Sequence, residues 1–271
     1  MTDRRVTVDG ITIACTDRGQ GPPALFMHGN PDSRHSWAPL FDQFGAGHRC
    51  IAPDFPGFGD SEPLPPEVAF GPEFFSGFWD RFADAVGLDR PVHVVVHDFG
   101  GPWLLPWVAE HPERVRSVFI LNTVFHRDYS WHRWARIWQT PVVGELALSL
   151  TTRDLLRREM RLHAPGVSHE FVDEAYERMH GTMRRTVLRT YRAHARPAEI
   201  FQGWEQRLLA VLKDLPVRVV WGDRDPYISS RFADRFGVTA IHMPDYGHWA
   251  HLQAPEVVAG HLVEFLGESG N

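Results

Sequence analysis

The chain has 271 residues, of which 43% are hydrophobic and 23% are charged, and its formal net charge is −6. This balance is typical of an ordered globular protein and disfavours a disordered or membrane-spanning chain. Because the net charge is negative and no basic stripe is present, we expect no nucleic-acid partner. No apolar run approaches the roughly 20 residues of a membrane span, and the start does not resemble a signal peptide, so we expect a cytoplasmic protein without membrane association.

The predicted elements of the first half alternate between strands and helices. Short β-branched runs predict strands over 24–27, 50–52 and 92–96, and an amphipathic pattern predicts a helix over 74–86 that ends at Gly87. The run 92–96 is almost continuously apolar, which is typical of a central parallel strand buried on both faces. The alternation predicts an α/β protein with a mostly parallel sheet covered by helices.

The pattern changes after a further strand predicted over 117–122. Residues 123–213 have helical periodicity and no convincing strand, which predicts a helical insertion, or cap. Strand patterns then return, followed by a last helix, at 217–221, 239–243 and 255–266. We therefore predict one main domain formed by 1–122 and 214–271, interrupted by a cap at 123–213.

Motifs for metals, cofactors and disulfides are missing from the sequence. Cys15 and Cys50 lie in apolar strand-like runs, so we expect buried free thiols. His169-Glu170 does not complete a His-Glu-x-x-His zinc helix, and Gly57-Phe58-Gly59 lacks the context of a phosphate-binding loop. The sequence therefore predicts no metal and no cofactor, and it leaves the oligomeric state open.

The strongest chemical signal follows the central predicted strand, where Asp98 precedes Phe99 and the pair Gly100-Gly101. A tight strand-to-helix turn brings backbone segments close together, and glycines tolerate that approach. An aspartate of ordinary pKa is ionised at neutral pH, so Asp98 at the tip of this turn needs no base to become a nucleophile. Its attack on carbon would leave an alkyl ester, which a base must then help to hydrolyse. The alternative role of Asp98 is to cap the helix.

The candidate base is His248, in the loop after the last predicted strand. Asp225, in the loop after the preceding strand, is its candidate partner, and Asp223 is a nearby rival. The carboxyl ends of parallel strands lie at one edge of a sheet, so we expect these side chains to meet Asp98 there. Asp225 would fix the tautomer of His248 and stabilise its charged form.

Three further segments accompany the order nucleophile, acid, histidine: His28-Gly29-Asn30-Pro31, residues 48–54 and His97-Asp98. In these features the chain resembles proteins of the α/β-hydrolase fold, and within that fold the haloalkane dehalogenases and the aspartate-nucleophile branch that they share with epoxide hydrolases. This resemblance implies a cofactor-independent hydrolase with Asp98, Asp225 and His248 as catalytic residues, a small apolar substrate, and water as the second reactant. It also implies an oxyanion hole formed by the backbone N–H groups of Asn30 and Phe99.

The resemblance leaves the leaving group open. In haloalkane dehalogenases a tryptophan follows the nucleophile and binds the halide together with the asparagine equivalent to Asn30, whereas this chain has Phe99. Halide would then be stabilised by Asn30 alone or by a cap tryptophan, for which the candidates are Trp131, Trp134 and Trp138. Asn30 could instead only order its own loop.

Epoxide hydrolases protonate the leaving alkoxide with cap tyrosines, and Tyr191 resembles one of these, with Tyr129 and Tyr176 as possible second donors. The first prediction is hydrolysis of a carbon–halogen bond, and the alternative is hydrolysis of an epoxide to a diol with Tyr191 as acid. A third, weaker reading is a binding protein that has kept the fold without turnover.

Overall fold

A computed structural model describes residues 3–44 and 47–269, and its centre is an eight-stranded sheet. The strands are β1 (Asp3–Val8), β2 (Ile11–Arg18), β3 (Pro23–Met27), β4 (Arg49–Pro53), β5 (Val92–Asp98), β6 (Val115–Thr123), β7 (Val217–Gly222) and β8 (Ile241–Met243). Their order is β1-β2-β4-β3-β5-β6-β7-β8. β2 runs antiparallel to both of its neighbours, whereas the strands from β4 to β8 in this order pair in parallel. The predicted mostly parallel sheet is therefore confirmed.

The α-helices of the described chain cover both faces of the sheet and fill a long insertion. They are α1 (Ala38–Phe44), α2 (Pro72–Ala85), α3 (Gly100–Glu110), α4 (Arg133–Gln139), α5 (Val143–Ser149), α6 (Arg153–His163), α7 (His169–Arg178), α8 (Gly181–Ala193), α9 (Pro197–Ile200), α10 (Trp204–Leu212), α11 (Ala250–Gln253) and α12 (Pro255–Glu268). Among the described residues, no helix is both long enough and apolar enough to cross a bilayer.

The strand β5 is buried along its whole length because helices pack on both faces of the sheet. Val94 and Val96 belong to the larger apolar core, which includes residues of α2 and α3. Val95 points to the opposite face and belongs to the second core, which includes residues of α1 and α12. This two-sided burial explains the continuous apolar run in the sequence, and it fixes the position of Asp98 at the end of the strand.

The sheet begins with a hairpin that the sequence analysis did not predict. β1 and β2 are joined by Asp9 and Gly10, both at positive φ (52° and 80°), the conformation of a two-residue hairpin turn. The burial of β1 alternates because it is the edge strand with one face towards solvent. The Asp-Gly pair was the available sequence signal for this turn.

The segment between β6 and β7 is fully described, and it contains the helices α4–α10 and no strand. α4 packs against α5 and α8, α6 packs against α7, and α10 packs against α3 of the sheet layer. The boundaries of a separate cap domain at 123–213 stay a prediction. Cys15 and Cys50 are buried free thiols, as predicted, and burial raises their pKa values to about 11 and about 12.

A buried ion pair ties together the loops that follow β3 and β4. The backbone N–H of Arg34 donates to Asp54 at 2.7 Å, and its guanidinium pairs with Asp54 and, at 2.8 Å, with Asp60. The Arg34 and Asp54 side chains are 3% and 0% exposed, so each charge depends on the other for compensation. The pair holds the loop that carries Asn30 against the rest of the sheet edge.

Candidate active site

Asp98 lies at the tip of a tight turn between β5 and α3. Its φ of 48° is in the left-handed region, where a residue with a side chain is strained. A Cβ at Gly100 would lie 2.3 Å from the carbonyl oxygen of Met27, and one at Gly29 would lie 2.4 Å from the Cβ of Asp98. Thr123 donates its hydroxyl proton to the Asp98 carbonyl. The glycines are thus required because backbone from β3 passes directly beside the turn.

The Asp98 carboxylate is buried and held by backbone donors. The N–H of Asn30 donates to Oδ2 at 2.7 Å, and the N–H of Phe99 also hydrogen-bonds the carboxylate. Burial raises the pKa of Asp98, while the nearby His248 and the two N–H groups partly offset that effect. The expectation of an ordinary pKa for Asp98 is therefore wrong, because the side chain is only 11% exposed.

The structure brings His248 and Asp225 together beside Asp98. His248 Nδ1 lies 2.7 Å from Asp225 Oδ2, and its Nε2 lies 3.6 Å from Asp98 Oδ1. The other oxygen of Asp225 accepts the backbone N–H groups of Tyr227 at 2.7 Å and Ile228 at 2.9 Å. An acceptor at Nδ1 fixes the proton on that nitrogen and leaves Nε2 as the basic site facing Asp98.

Asp223, the rival of Asp225, faces elsewhere: its Oδ1 lies 2.6 Å from Nδ1 of His242 on β8. The contact to His248 is thus made by Asp225. Burial lowers the pKa of His248, but the charge and hydrogen bond of Asp225, together with the Asp98 carboxylate, outweigh burial and raise it above its usual range.

Asn122, at the end of β6, is a site residue that the sequence analysis missed. Its side-chain amide donates to Asp225 Oδ2 at 2.9 Å and to the Gly222 carbonyl at 3.0 Å, and its oxygen accepts the Gly222 N–H at 2.9 Å. Asn122 therefore fixes the Asp225 carboxylate to the ends of two neighbouring strands. Its position as a polar residue at the carboxyl end of an apolar strand was the signal that could have found it.

The histidines next to the site hydrogen-bond backbone groups. His28 Nε2 accepts the N–H of Phe55 at 2.9 Å, and His97 Nε2 lies 2.8 Å from the carbonyl oxygen of His248. Burial lowers the pKa of His28 to about 4 and that of His97 well below the usual range, so both imidazoles are neutral.

A buried polar cluster lies behind His248. Among the described residues, Asp32 Oδ2, His97 Nδ1 and both ring nitrogens of His251 have no hydrogen-bond partner. Ligand atoms of these three residues lie within 4.8 Å of one another. Two neutral imidazoles and a carboxylate form a donor set that suits a metal ion such as zinc, and a buried water would satisfy the same atoms.

A cavity opens over Asp98 between the sheet edge and the helices that follow β6. Of the predicted site residues, Asn30, Asp98, Tyr191 and His248 line it. Neither side-chain amide atom of Asn30 makes a hydrogen bond of good geometry to a described residue. The Tyr191 side chain is near enough to the amide for Asn30 to affect its pKa, so the two polar groups face the cavity together. The rest of the wall is mostly apolar and is formed in large part by residues of α4–α8, among them Trp134, Trp138, Leu155, Leu156, Met160, Phe171, Val172, Met179 and Val187.

Phe99 contributes its backbone to the site, while its ring packs away from the cavity. The ring is 1% exposed, stacks on Trp131 at 5.5 Å and contacts Tyr191 edge-on at 5.1 Å. The indole N–H of Trp131 donates to the carbonyl of His194 at 2.7 Å, and that of Trp134 donates to Glu159 at 3.1 Å. Two of the three candidate tryptophans therefore have their donors engaged within the protein.

Of the three candidate tyrosines, the structure places one in the cavity wall. Tyr191 lines the cavity, and burial together with the Asp98 carboxylate raises its pKa well above the usual range, partly offset by Asn30. Tyr129 donates to the Tyr227 carbonyl at 3.0 Å, and Tyr176 lies 3.4 Å from the Thr151 carbonyl; neither lines the cavity. Tyr227, two residues after Asp225, also lines the cavity and was not among the candidate tyrosines. The Tyr227 hydroxyl donates to Glu159 at 2.9 Å.

Residues 22–255 match the family described as the alpha/beta hydrolase fold. The chain belongs to the α/β-hydrolase family. This membership confirms the predicted fold class, and the relatives of this hydrolase confirm the resemblance seen in the sequence.

The hydrolase is 26% identical over 274 residues to haloalkane dehalogenase 2 of Mycobacterium tuberculosis, an alignment that covers 94% of this chain and 91% of that protein. It is 25% identical over 269 residues to epoxide hydrolase 1 of Caenorhabditis elegans, covering 90% of this chain and 65% of that protein. The fold is similar to that of haloalkane dehalogenase DbeA from Bradyrhizobium elkani, with a TM-score of 0.82, 22% identity, and coverage of 99% and 98% of the two chains.

Proposed function

We propose that this hydrolase cleaves a small, largely apolar substrate through an alkyl ester formed on Asp98. The observation that carries the proposal is the geometry around Asp98: two backbone N–H groups hold its carboxylate, and the His248–Asp225 pair faces it across 3.6 Å. The similarity to dehalogenases and epoxide hydrolases over most of the chain supports the same chemistry. The only reactants are the substrate and water.

In the first step an Asp98 oxygen attacks a substrate carbon. A carbon–oxygen bond forms to the enzyme as the bond to the leaving group breaks, and the leaving group departs with the bonding electrons. The step requires Asp98 to be ionised, so the contacts that oppose the effect of burial on its pKa support its reactivity.

In the second step His248 Nε2 takes a proton from water, and the resulting hydroxide adds to the carboxyl carbon of the Asp98 ester. The oxyanion that forms accepts hydrogen bonds from the N–H groups of Asn30 and Phe99. Collapse of this intermediate releases an alcohol, which takes its proton from His248, and leaves Asp98 as a carboxylic acid. The Asp98 proton then passes to solvent if the leaving group was a halide, or restores the Tyr191 phenol if the substrate was an epoxide. Asp225 stabilises the imidazolium that exists between these proton transfers.

Epoxide opening is the reaction that the geometry supports best. An alkoxide is a poor leaving group and needs a proton donor, and Tyr191 lines the cavity beside Asn30 and near Asp98. Since its pKa is raised, the Tyr191 phenol stays protonated at neutral pH and can donate to the alkoxide. The product is then a vicinal diol.

Cleavage of a carbon–halogen bond is the second candidate, and the unpaired amide of Asn30 favours it. A halide needs solvation by N–H donors and no proton. Phe99 supplies no side-chain donor, and the indoles of Trp131 and Trp134 are engaged elsewhere. Halide stabilisation would therefore depend on Asn30 and on Trp138, the one candidate tryptophan that lines the cavity without a hydrogen bond from its indole to a described residue, and this candidate comes second.

A parallel assay tests the proposal: diol formation from terminal epoxides and bromide release from bromoalkanes of the same chain length. We expect diol formation to exceed bromide release, and Tyr191→Phe to reduce epoxide turnover by about 100-fold, the usual effect of one general acid, with bromide release largely kept. If the protein releases bromide but forms no diol, and Tyr191→Phe leaves bromide release unchanged, the proposed activity becomes that of a dehalogenase.

Asp98→Asn tests the step that both candidates share. We expect it to abolish both activities, whereas the matched control Asp89→Asn, at an exposed carboxylate just before the start of β5, leaves them unchanged. His248→Gln should trap the ester as a mass increase on a peptide containing Asp98. Turnover by Asp98→Asn, or a covalent adduct on another residue, would contradict the proposed nucleophile.

A further inference from the structure

The half of the cavity that lies away from Asp98 contains a carboxylate among aromatic rings. Glu159, on α6, lines the cavity together with Trp134, Trp138, Tyr227 and Trp249. The described residues that line the cavity include no lysine and no arginine. The wall therefore has a carboxyl group at each end, Asp98 at one and Glu159 at the other, with Asp32 as a third. Its basic groups are the imidazoles of His132 and His248, and His248 is already paired with Asp225.

The Glu159 carboxylate is held in a fixed orientation with one oxygen uncommitted. Its Oε1 accepts the Trp134 indole N–H at 3.1 Å and the Tyr227 hydroxyl at 2.9 Å, and it lies 3.7 Å from Nε2 of His163. None of the described residues donates a hydrogen bond to Oε2. The side chain is 24% exposed, so the carboxylate remains accessible to a ligand in the cavity.

Tyr227 sets the distance between the two charged ends. Its ring lies edge-on to the His248 ring, with 5.2 Å between centroids, and its hydroxyl, at the far end of the ring, binds Glu159. Glu159 is thus about one tyrosine side chain away from the catalytic base. Trp249 packs edge-on against the same tyrosine at 5.7 Å, and Trp134 stacks with Trp138 at 6.2 Å.

This combination of groups is suited to a positive ligand charge. A carboxylate in a mostly apolar wall lacks full solvation, which a cation in the cavity would compensate. Tryptophan and tyrosine faces attract cations through their ring quadrupoles, and aromatic walls with an acidic group recognise ammonium ions. A carboxylated substrate would instead be repelled by Asp98 and Glu159 with no guanidinium to pair with it.

We infer that the substrate carries a cationic nitrogen, a protonated amine or a quaternary ammonium, at the end remote from the reacting carbon, and that Glu159 and the rings around it bind that nitrogen. The inference rests on the proposed function for the identity of the reacting end. The cation site itself depends only on the cavity, so its binding can be measured without turnover.

The first experiment compares the binding of choline and of its neutral carbon isostere 3,3-dimethylbutan-1-ol by ligand-observed NMR at pH 8, where a free imidazole is uncharged. We expect the wild-type protein to bind choline about tenfold more tightly, as one cation–π and carboxylate contact predicts. Glu159→Gln should remove this preference and leave the binding of the neutral alcohol unchanged. Glu170→Gln, an exposed cap glutamate outside the cavity, is the matched control.

Three outcomes would overturn the inference. The wild-type protein could bind the two ligands with equal affinity, or Glu159→Gln could weaken the binding of both ligands equally. The preference for choline could also disappear in Asp98→Asn but persist in Glu159→Gln. Equal losses would mean that Glu159 only braces Tyr227 and Trp134.

A second experiment compares turnover of glycidyltrimethylammonium with that of its isostere 1,2-epoxy-4,4-dimethylpentane. We expect a lower KM for the cation, and Glu159→Gln should raise that KM about tenfold with kcat kept. If choline binds as expected and neither epoxide is turned over, the proposed function fails while the cation site stands.

Discussion

At the residue scale the site is a small set of side chains whose ionisation is set by burial and by their nearest neighbours. The pKa of Asp98 is raised by burial, and that of His248 is raised because the charge of Asp225 outweighs burial. Both Asp98 and His248 are therefore protonated more readily than free side chains. The proposed reaction needs Asp98 ionised and His248 neutral, so we expect protonation of either group to stop it.

This dependence predicts an acid limb in the pH profile of turnover. Because both active forms are the deprotonated ones, kcat should be full at alkaline pH and fall as the pH decreases through a midpoint above about 6.5, the usual histidine value. Single-turnover rates between pH 5 and 9 measure this midpoint. Asp225→Asn removes the charge that raises the pKa of His248, so its midpoint should move to lower pH. An unchanged midpoint in that variant would contradict the role of Asp225.

Asn122 offers a second test at this scale. Asn122→Ala removes the amide that binds the Asp225 carboxylate and the Gly222 backbone, so we expect Asp225 to lose its orientation towards His248. A misplacement of about 1 Å reduces rates about 100-fold, and the loss should appear in kcat rather than in KM. Thermal unfolding of the variant shows whether the fold is kept. A folded variant with wild-type kcat would show that Asn122 does not position Asp225.

At the element scale the turn between β5 and α3 is set by close packing against a neighbouring strand. Its geometry depends on backbone from β3 that passes within contact of Gly100, and on the strained φ of Asp98. The ends of β6, β7 and β8 then supply Asn122, Asp225 and His248 to the same edge of the sheet. The sheet order thus brings together residues that are far apart in the sequence.

Gly100→Ala tests this packing. The added Cβ would lie 2.3 Å from the carbonyl oxygen of Met27, a backbone atom that cannot turn aside, so we expect a loss of about 1–3 kcal/mol in the free energy of unfolding. Gly260→Ala on α12 is the matched control, because nothing lies within 4 Å of its Cβ. That change should stabilise the helix by about 0.5–1 kcal/mol. Urea unfolding shows whether each substitution lowers or raises the free energy of unfolding. Equal changes in the two variants would contradict the close approach at Gly100.

At the scale of the whole molecule the buried histidines couple stability to pH. Burial lowers the pKa of His28, His93, His132 and His194 to about 4 and that of His251 to about 3. In the unfolded chain these imidazoles titrate near their usual value of about 6.5. Between these values the unfolded chain binds more protons than the folded protein, so the free energy of unfolding decreases as the pH falls.

We therefore expect the protein to unfold cooperatively as the pH falls below about 6.5, with each such histidine contributing about 1.4 kcal/mol per pH unit. The groups whose pKa is raised act in the opposite direction; they are Asp32, at about 7, and Asp54, Asp98, His242 and His248. They are fewer than the histidines whose pKa is lowered, which also include His35, His48, His97 and His126. The melting temperature measured from pH 8 to pH 5 tests this. His251→Gln should reduce the slope, and the exposed control His169→Gln should not. A melting temperature independent of pH would contradict the prediction.

Much of this protein could be predicted from its sequence because the relevant signals are local. The apolar run of β5, the glycines after Asp98 and the order of Asp98, Asp225 and His248 predicted the sheet, the turn and the set of residues that meet at its edge. Such signals are readable because burial on both faces of a strand and close approach at a turn each restrict which residues are possible at a position.

Only the tertiary structure decided which groups face the cavity and which donors are free. The sequence could not show that the indoles of Trp131 and Trp134 are engaged, that Tyr227 reaches the cavity in place of Tyr129, or that Asn122 holds Asp225. These facts depend on how segments 25 to 103 residues apart in sequence pack against one another. The direction of a side chain and the pKa of its group are properties of that packing, because burial and neighbouring charge arise only when the distant segments meet.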